Sequence, residues 1–224
     1  MPLRRQARRL RAPALLLAAA ALAGCSAIAA LDRAATPVDA HELRVPDDLP
    51  RARTAQNAQL VVETPVAGGA IDTDRILVRP GATRVAYLPD ARWSAAAPEM
   101  LQTAMVGTFL ESNAFRFVGR RPLGARGDVA LVSELTAFGA HVAPAAEAGQ
   151  AAAEVRVALV ATLVREGDGD ILATRRFARS APIPDTSDAA ILAGFDAASV
   201  ALLRDLAQWV LRTRGIAAVE GTGG

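Results

Sequence analysis

The chain is 224 residues long, 52% of it is apolar, and its 25 basic residues, all arginine, stand against 23 acidic ones. Arg4, Arg5, Arg8, Arg9 and Arg11 all precede an apolar run from about Ala12 to Ala23, so the part beyond that run carries about −3. That balance leaves no basic surface for nucleic acid or anionic headgroups, and two histidines with one cysteine are too few for histidine-rich metal sites or histidine triads.

The apolar run is the first element. It is shorter than the roughly 20 residues a permanent membrane helix needs, and a basic start, a short apolar middle and small residues at its end make a secretory signal peptide. Those small residues close as Leu22-Ala23-Gly24-Cys25, which resembles the lipobox of bacterial lipoproteins. In such proteins the thiol is alkylated with diacylglycerol, the peptide is cut just before the cysteine, and the new amino group is acylated. Residues 1–24 are therefore expected to be removed, and Cys25, the sole cysteine, to be the lipid attachment point. That leaves no thiol for disulfides, although the compartment would permit them. Ser26, rather than an acid, follows the cysteine; by resemblance to enterobacterial sorting this implies the outer membrane.

From residue 25 to 57 the text is polar, with Pro37, Pro46 and Pro50 and little periodicity. It reads as a lipidated tether. About thirty residues reach on the order of 100 Å when fully stretched.

The folded part is expected over residues 58–214, as one α+β domain in which a largely antiparallel sheet is packed by two helices. Leu60 to Glu63, Ile76 to Val78 and Arg84 to Leu88 read as short strands, with Arg79-Pro80-Gly81 a turn between the last two. A helix of about eighteen residues follows Trp93, with Ser94 as candidate N-cap, Pro98 in its first turn, and Leu101, Met105, Val106, Phe109 and Leu110 on one stripe. Phe115 to Val118 is a strand, and Asp128 to Val142 a long one whose partners are Glu154 to Arg165 and Ile171 to Arg179. In the middle partner Val155, Val157, Leu159, Ala161 and Leu163 alternate with polar residues, the period of a sheet with one packed face. Glu166-Gly167-Asp168-Gly169 is the hairpin turn. A closing helix, capped by Asp185 or Thr186, runs to about Arg212 with Ile191, Phe195, Leu202, Leu206, Trp209 and Val210 inward. Residues 215–224 read as a loose tail.

Little in this text is equipped for catalysis. His41 falls in the tether and His141 near a strand end. Glu166, Asp168 and Asp170 lack the later glutamate and the length of a calcium loop. Gly68-Gly69 and Gly124 to Gly127 do not match phosphate loops, and the Arg126-Gly127-Asp128 triplet is common by chance. Trp93 and Trp209 read as core or half-buried packing, with partner contact as the alternative. No catalytic residue, metal or cofactor is expected.

Behind the lipobox, the order Leu60-Val61-Val62, Asp72-Thr73-Asp74-Arg75-Ile76, Tyr87, Ala91-Arg92-Trp93, Pro98 and Leu101-Gln102 resembles the ABC-type transport auxiliary lipoproteins, the family that includes the paraquat-inducible lipoprotein C. The resemblance runs from about Leu43 to Leu211 and rests on order and spacing together; His41-Glu42-Leu43 departs from the Tyr-x-Leu with which members often begin. It implies a periplasmic piece of a transporter that joins an ATPase and permease to a lipid-binding MCE-domain protein, anchored at the outer membrane and helping to move lipids or other hydrophobic molecules. With no ATP-binding motif and no spanning segment in the sequence, an adaptor is the expected role. A lipid carrier that encloses an acyl chain itself is the alternative. Tyr87, Arg92 and Trp93, where the resemblance is dense, are the expected contact residues. The sequence does not give the oligomeric state.

Overall fold

In the computed structural model the described residues are 38–121, 127–142 and 153–219. The signal peptide, the lipobox with Cys25, Arg126 of the Arg-Gly-Asp triplet and residues 220–224 lie outside them.

The sheet is organised by one strand, β8 (Val129–Val142), long enough to serve several partners at once. Along one edge it pairs over its whole length, antiparallel, with β9 (Ala153–Arg165), and β9 pairs antiparallel with β10 (Ile171–Pro182). Along its other edge three short strands dock in succession, all parallel: β3 (Gln56–Val62) at Val129 to Leu131, β4 (Val66–Ala67) at Glu134 and Leu135, and β5 (Arg75–Pro80) at Ala140 to Val142. Two arms extend outward from these. β7 (Phe115–Gly119) adds parallel to β3; β6 (Ala86–Trp93) adds antiparallel to β5 and receives β1 (Asp39–His41) in parallel. The domain is α+β, as expected, and its sheet is mixed: the long ladders are antiparallel, and most of the short strands join in parallel.

The alternation read in β9 is realised. Val155, Val157, Leu159, Ala161 and Leu163 are fully buried, while Arg156 is exposed and Thr162 half-buried. Arg165 N–H donates to the Asp170 carbonyl at 2.8 Å and Gly169, at φ 79°, returns its N–H to Arg165 at 2.9 Å, so Glu166 to Gly169 is the hairpin turn between β9 and β10. The Arg165 guanidinium bonds both Asp168 and Asp170, and that bond to Arg165 holds the Asp168 carboxyl below its usual range. These acids share one arginine in a solvated turn, and among the described residues no group of three or more histidine, cysteine, aspartate or glutamate side chains could hold a metal ion.

Two helices cover the packed face. α1 (Ala97–Glu111) lies on β7 and β3, α2 (Asp188–Thr213) on β10, β9 and β8, and the two touch each other. In α1, Leu101, Met105 and Phe109 are buried as the stripe requires, but Val106 is only half-buried and Leu110 is 56% exposed. The cap position also differs from expectation. Ala96 precedes the helix without a side-chain cap, and the Ser94 N–H is already committed to the His41 carbonyl at 2.9 Å. In α2 the cap is Ser187, whose hydroxyl accepts from the Ala190 N–H; Asp185 instead accepts from the Ser187 N–H. The helix ends in a Schellman motif, with Gly215 at φ 65° donating to Arg212 and Ile216 to Leu211. All six residues expected inward on this helix are buried.

The main correction concerns the tether, expected to run to residue 57. The described fold already includes Asp39, because residues 39–57 are held on the domain. β1 joins the sheet; Pro46, Leu49 and Pro50 are buried; and two ion pairs, Arg44 with Asp196 and Asp48 with Arg204, clip this strap to α2. Val45 fills a notch at Gly107 of α1, where a Cβ would sit 2.6 Å from Val45 Cγ2. Residues 215–219 are likewise not loose: β11 (Ala218–Val219) pairs antiparallel with β2 (Arg51–Ala52), and Ile216 is buried. His41 therefore lies in the sheet and not in a tether.

Two stability predictions follow from this packing. Leu202 is fully buried in α2. Leu202→Ala is expected to cost about 2–5 kcal/mol, and Leu202→Asp, which buries an unpaired charge, enough to unfold a domain of ordinary stability. Urea and thermal denaturation followed by circular dichroism read both, and a Leu202→Asp protein melting within about 2 °C of wild type, when a single kcal/mol moves a midpoint by about 2–4 °C, would show that this contact is not made. For the strap, Gly107→Ala meets Val45 and is expected to lose about 1–3 kcal/mol to overlap, against about 1 kcal/mol gained in helix propensity. In a Val45→Ala background the same substitution should be neutral or stabilising. Equal effects in the two backgrounds would mean that Val45 does not occupy the notch.

Candidate functional site

The residues singled out by sequence, Tyr87, Arg92 and Trp93, all belong to β6, and the local chain explains their different fates. Leu77 of β5 faces Tyr87, but two residues further back Arg75 faces Arg92, so β6 spends several extra residues between these pairs. Pro89 lies in that excess. Proline has no N–H to give a ladder, and a bulge is where a strand tolerates it. Pairing resumes at Ala91 to Trp93, which is also where β1 docks, with Ala40 opposite Arg92 and His41 opposite Trp93.

Beyond the bulge the side chains alternate. Ala91 and Trp93 turn inward and are buried, Trp93 at 2% exposure, while Arg92 between them is exposed. The Trp93 ring lies against Phe138 of β8 (centroids 5.5 Å apart) and edge-on to Phe195 of α2 (5.0 Å), and those two rings meet at 4.8 Å. Its backbone N–H donates to the Asp74 carbonyl at 2.7 Å. Such aromatic pairs each add about 0.5–1.5 kcal/mol beyond the area they bury. Trp93 is thus a core residue joining β6, β8 and α2, and it has no surface to offer a partner. Trp209 is buried too, edge-on to Phe177 at 5.5 Å.

Tyr87 and Arg92 remain as surface groups, and the structure supplies the residue between them. Arg75 stands cross-strand from Arg92 and lays its guanidinium over the Tyr87 ring, 4.1 Å from the centroid, the geometry of a cation–π contact. The half-buried Tyr87 also points its hydroxyl at the Ala70 carbonyl, 3.4 Å away. Neither Arg75 nor Arg92 forms an ion pair among the described residues. Sequence reasoning quoted Asp74-Arg75 only as a landmark before a strand and did not place it in the site. The cross-strand register that brings Arg75 to Tyr87 depends on the bulge at Pro89, and no periodicity announces that. The resulting rim is an aromatic face carrying one guanidinium with a second beside it, a surface that can stack on and hydrogen-bond a partner.

His141 lies at the far end of β8, opposite Arg79 and Glu154. Burial, reinforced by Arg156 and Arg79, lowers its imidazole pKa from the ordinary histidine value.

Of the grooves on the surface, one of about 260 Å³ lies between Pro50 and the end of α2 near Leu211 and Ile216. A second, of about 210 Å³, runs along the strap beside Val45 and Glu111. A third, of about 290 Å³, opens on the uncovered sheet face between Val66, Val132 and Val160. All three open to solvent.

With this geometry in view, comparisons with known proteins find similar chains and one matching family. The crystal structure of a Xanthomonas campestris protein is 29% identical and covers 80% of this chain and 97% of that one, with a TM-score of 0.69. A second crystal structure, of an uncharacterized protein 12% identical, covers 78% of this chain and 99% of that one at a TM-score of 0.57, a likeness of fold alone. An uncharacterized protein of Bradyrhizobium diazoefficiens is 24% identical over 171 residues, 76% of this chain; the chain spans 44% of the length of that curated relative. The model of one protein family matches residues 41–207, nearly the whole described domain from β1 into α2. The chain belongs to the family of the ABC-type transport auxiliary lipoprotein component.

Proposed function

We propose that this lipoprotein is a non-catalytic adaptor of an MCE-type ABC transporter. Its lipidated Cys25 holds it to the periplasmic face of the outer membrane, and its rim of Tyr87, Arg75 and Arg92 docks an MCE-domain protein. The transported cargo is a lipid or another hydrophobic molecule. Family membership supports association with an ABC transporter. The observation that carries the adaptor reading over the carrier reading is the filled interior: Trp93, Phe138 and Phe195 occupy the space between sheet and α2. A carrier would need an apolar void of several hundred Å³ there. The three grooves described above, of about 260, 210 and 290 Å³, all open to solvent.

Attachment is assigned to the lipid on the strength of Leu22-Ala23-Gly24-Cys25; no helix among the described residues is long and apolar enough to cross a membrane. Three acyl chains, at about 0.8 kcal/mol per buried CH₂, exceed the two signals that stable anchoring takes. Cys25→Ala is expected to leave an unlipidated precursor and to abolish stable attachment. Fractionation with mass spectrometry of the mature N-terminus checks this, and a mature chain starting anywhere but Cys25, or wild type recovered in the inner-membrane fraction, contradicts it.

Pull-down of the detergent-solubilised lipoprotein tests the interface. Wild type should capture an MCE-domain protein, and Arg92→Glu, or Arg75→Glu, which also uncovers Tyr87, should weaken capture by about tenfold or more while circular dichroism shows the fold intact. Capture unchanged in both variants rejects the rim. Lipid co-purifying in place of any such protein moves the assignment to the carrier.

A further inference from the structure

β10 closes the sheet on its side. It pairs with β9 along its length and, among the described residues, with nothing on its other edge. At 12 residues it is about twice the usual strand, and an open edge of that length is a template for another strand. The side chains on it are selective. Thr174-Arg175-Arg176-Phe177-Ala178-Arg179 carries three arginines, and no acid occurs from Ile171 to Pro184. Strand alternation sends Arg175 and Arg179 to the face covered by α2 and Arg176 to the other. Arg179 is engaged by Asp205 of α2 and donates to the Ala178 carbonyl at 3.1 Å. Arg175 lies 5.3 Å from the centroid of the Phe177 ring, itself fixed edge-on by Trp209. Neither Arg175 nor Arg176 forms an ion pair among the described residues. Two uncompensated guanidinium groups therefore flank the open backbone edge, one on each face, and one of them is held against an aromatic ring.

We propose that the β10 edge is a strand-addition site for an extended, acidic segment of a partner protein. A second copy of this chain is the wrong occupant. A two-fold pairing centred on Phe177 sets Arg175 against Arg179, and like charges directly opposite are destabilising. The same arginines that keep two edges apart make a carboxylate-bearing strand the complement: the backbone ladder supplies affinity and bidentate guanidinium–carboxylate bonds supply selection. The site lies on a different strand from the Tyr87 rim and does not rest on the adaptor reading.

The probe is a fluorescein-labelled peptide of valine, threonine and glutamate long enough to span β10, titrated by anisotropy into the detergent-solubilised full chain. Its counterpart with lysine for glutamate, a glutamate–glycine–proline peptide of equal charge that cannot form a strand, and phosphatidylglycerol vesicles serve as controls. Tight binding of the first probe alone is expected. Arg175→Glu with Arg176→Glu should weaken it about tenfold or more, since each cross-strand charge pair turns from attraction to repulsion. Ala178→Pro tests the ladder separately. The Ala178 carbonyl faces the open edge, where the Arg179 side chain reaches it, so its N–H faces the same way; proline removes that donor and leaves every charge in place. A comparable loss in Ala178→Pro, with the melting temperature retained in both variants, supports strand addition. Undiminished binding by Ala178→Pro, equal binding of the glycine–proline peptide or the lysine peptide, binding to the vesicles only, or no binding to any probe overturns it.

Discussion

The domain depends on the two-sided pairing of β8. One edge carries an antiparallel ladder with β9 from Val129 to Val142, interrupted once between Leu135 and Ala137, and the other carries β3, β4 and β5 end to end. Every backbone donor and acceptor of a buried strand needs a partner. On β8, which α2 helps to cover, three short strands share the second edge and supply those partners in turn. The remaining architecture follows from how those short strands are spliced. β3 and β5 leave β8 as two separate arms, α1 covers the first, and β6 with β1 extends the second. The local irregularity between Leu135 and Ala137, where Thr136 donates to the Ala158 carbonyl at 3.2 Å, lets one strand serve both arms.

The aromatic triad makes the second arm rigid. Trp93 from β6, Phe138 from β8 and Phe195 from α2 contribute one ring each, so the end of β6 is fixed from beneath. Arg92 is thereby presented outward by alternation, and Arg75 is aligned to stack on Tyr87. Surface geometry at the rim is a consequence of burial one residue away. Trp93, read as packing with partner contact as the alternative, packs, and it orients the surface groups beside it.

The long elements were legible because they obey a period. β9 alternates, α2 repeats with helical spacing, and the hairpin at Glu166 to Gly169 carries its own turn chemistry. The strap was not legible, for a physical reason. β1 and β2 are 3 and 2 residues long, too short for any period. Pro46, Leu49 and Pro50 are buried individually, and Val45 is admitted by a glycine on α1 far along the chain. The caps were misplaced for a related reason: Ser94, Asp185, Thr186 and Ser187 are all competent, and the helices start later than the residues chosen, at Ala97 and Asp188, with Ala96 and Ser187 at the cap positions. At the rim, composition pointed to Tyr87 and Arg92, but the roles of Trp93 and Arg75 are set by cross-strand register, which a bulge rewrote.

The parallel docking of β3 and β5 onto β8 also fixes an order of events. Antiparallel β8, β9 and β10 are neighbours in sequence and can zip together through local contacts, which form fast. Leu60 and Val78, however, have their ladder partners at Val129 and Ala140, so the whole first half of the domain must wait for the second half to exist. A chain emerging N-terminus first presents β3, α1 and their apolar faces before the strand that covers their edges has appeared. During synthesis and transit that half is exposed to mispairing, and the native sheet is sealed only once the last hairpin and α2 have arrived.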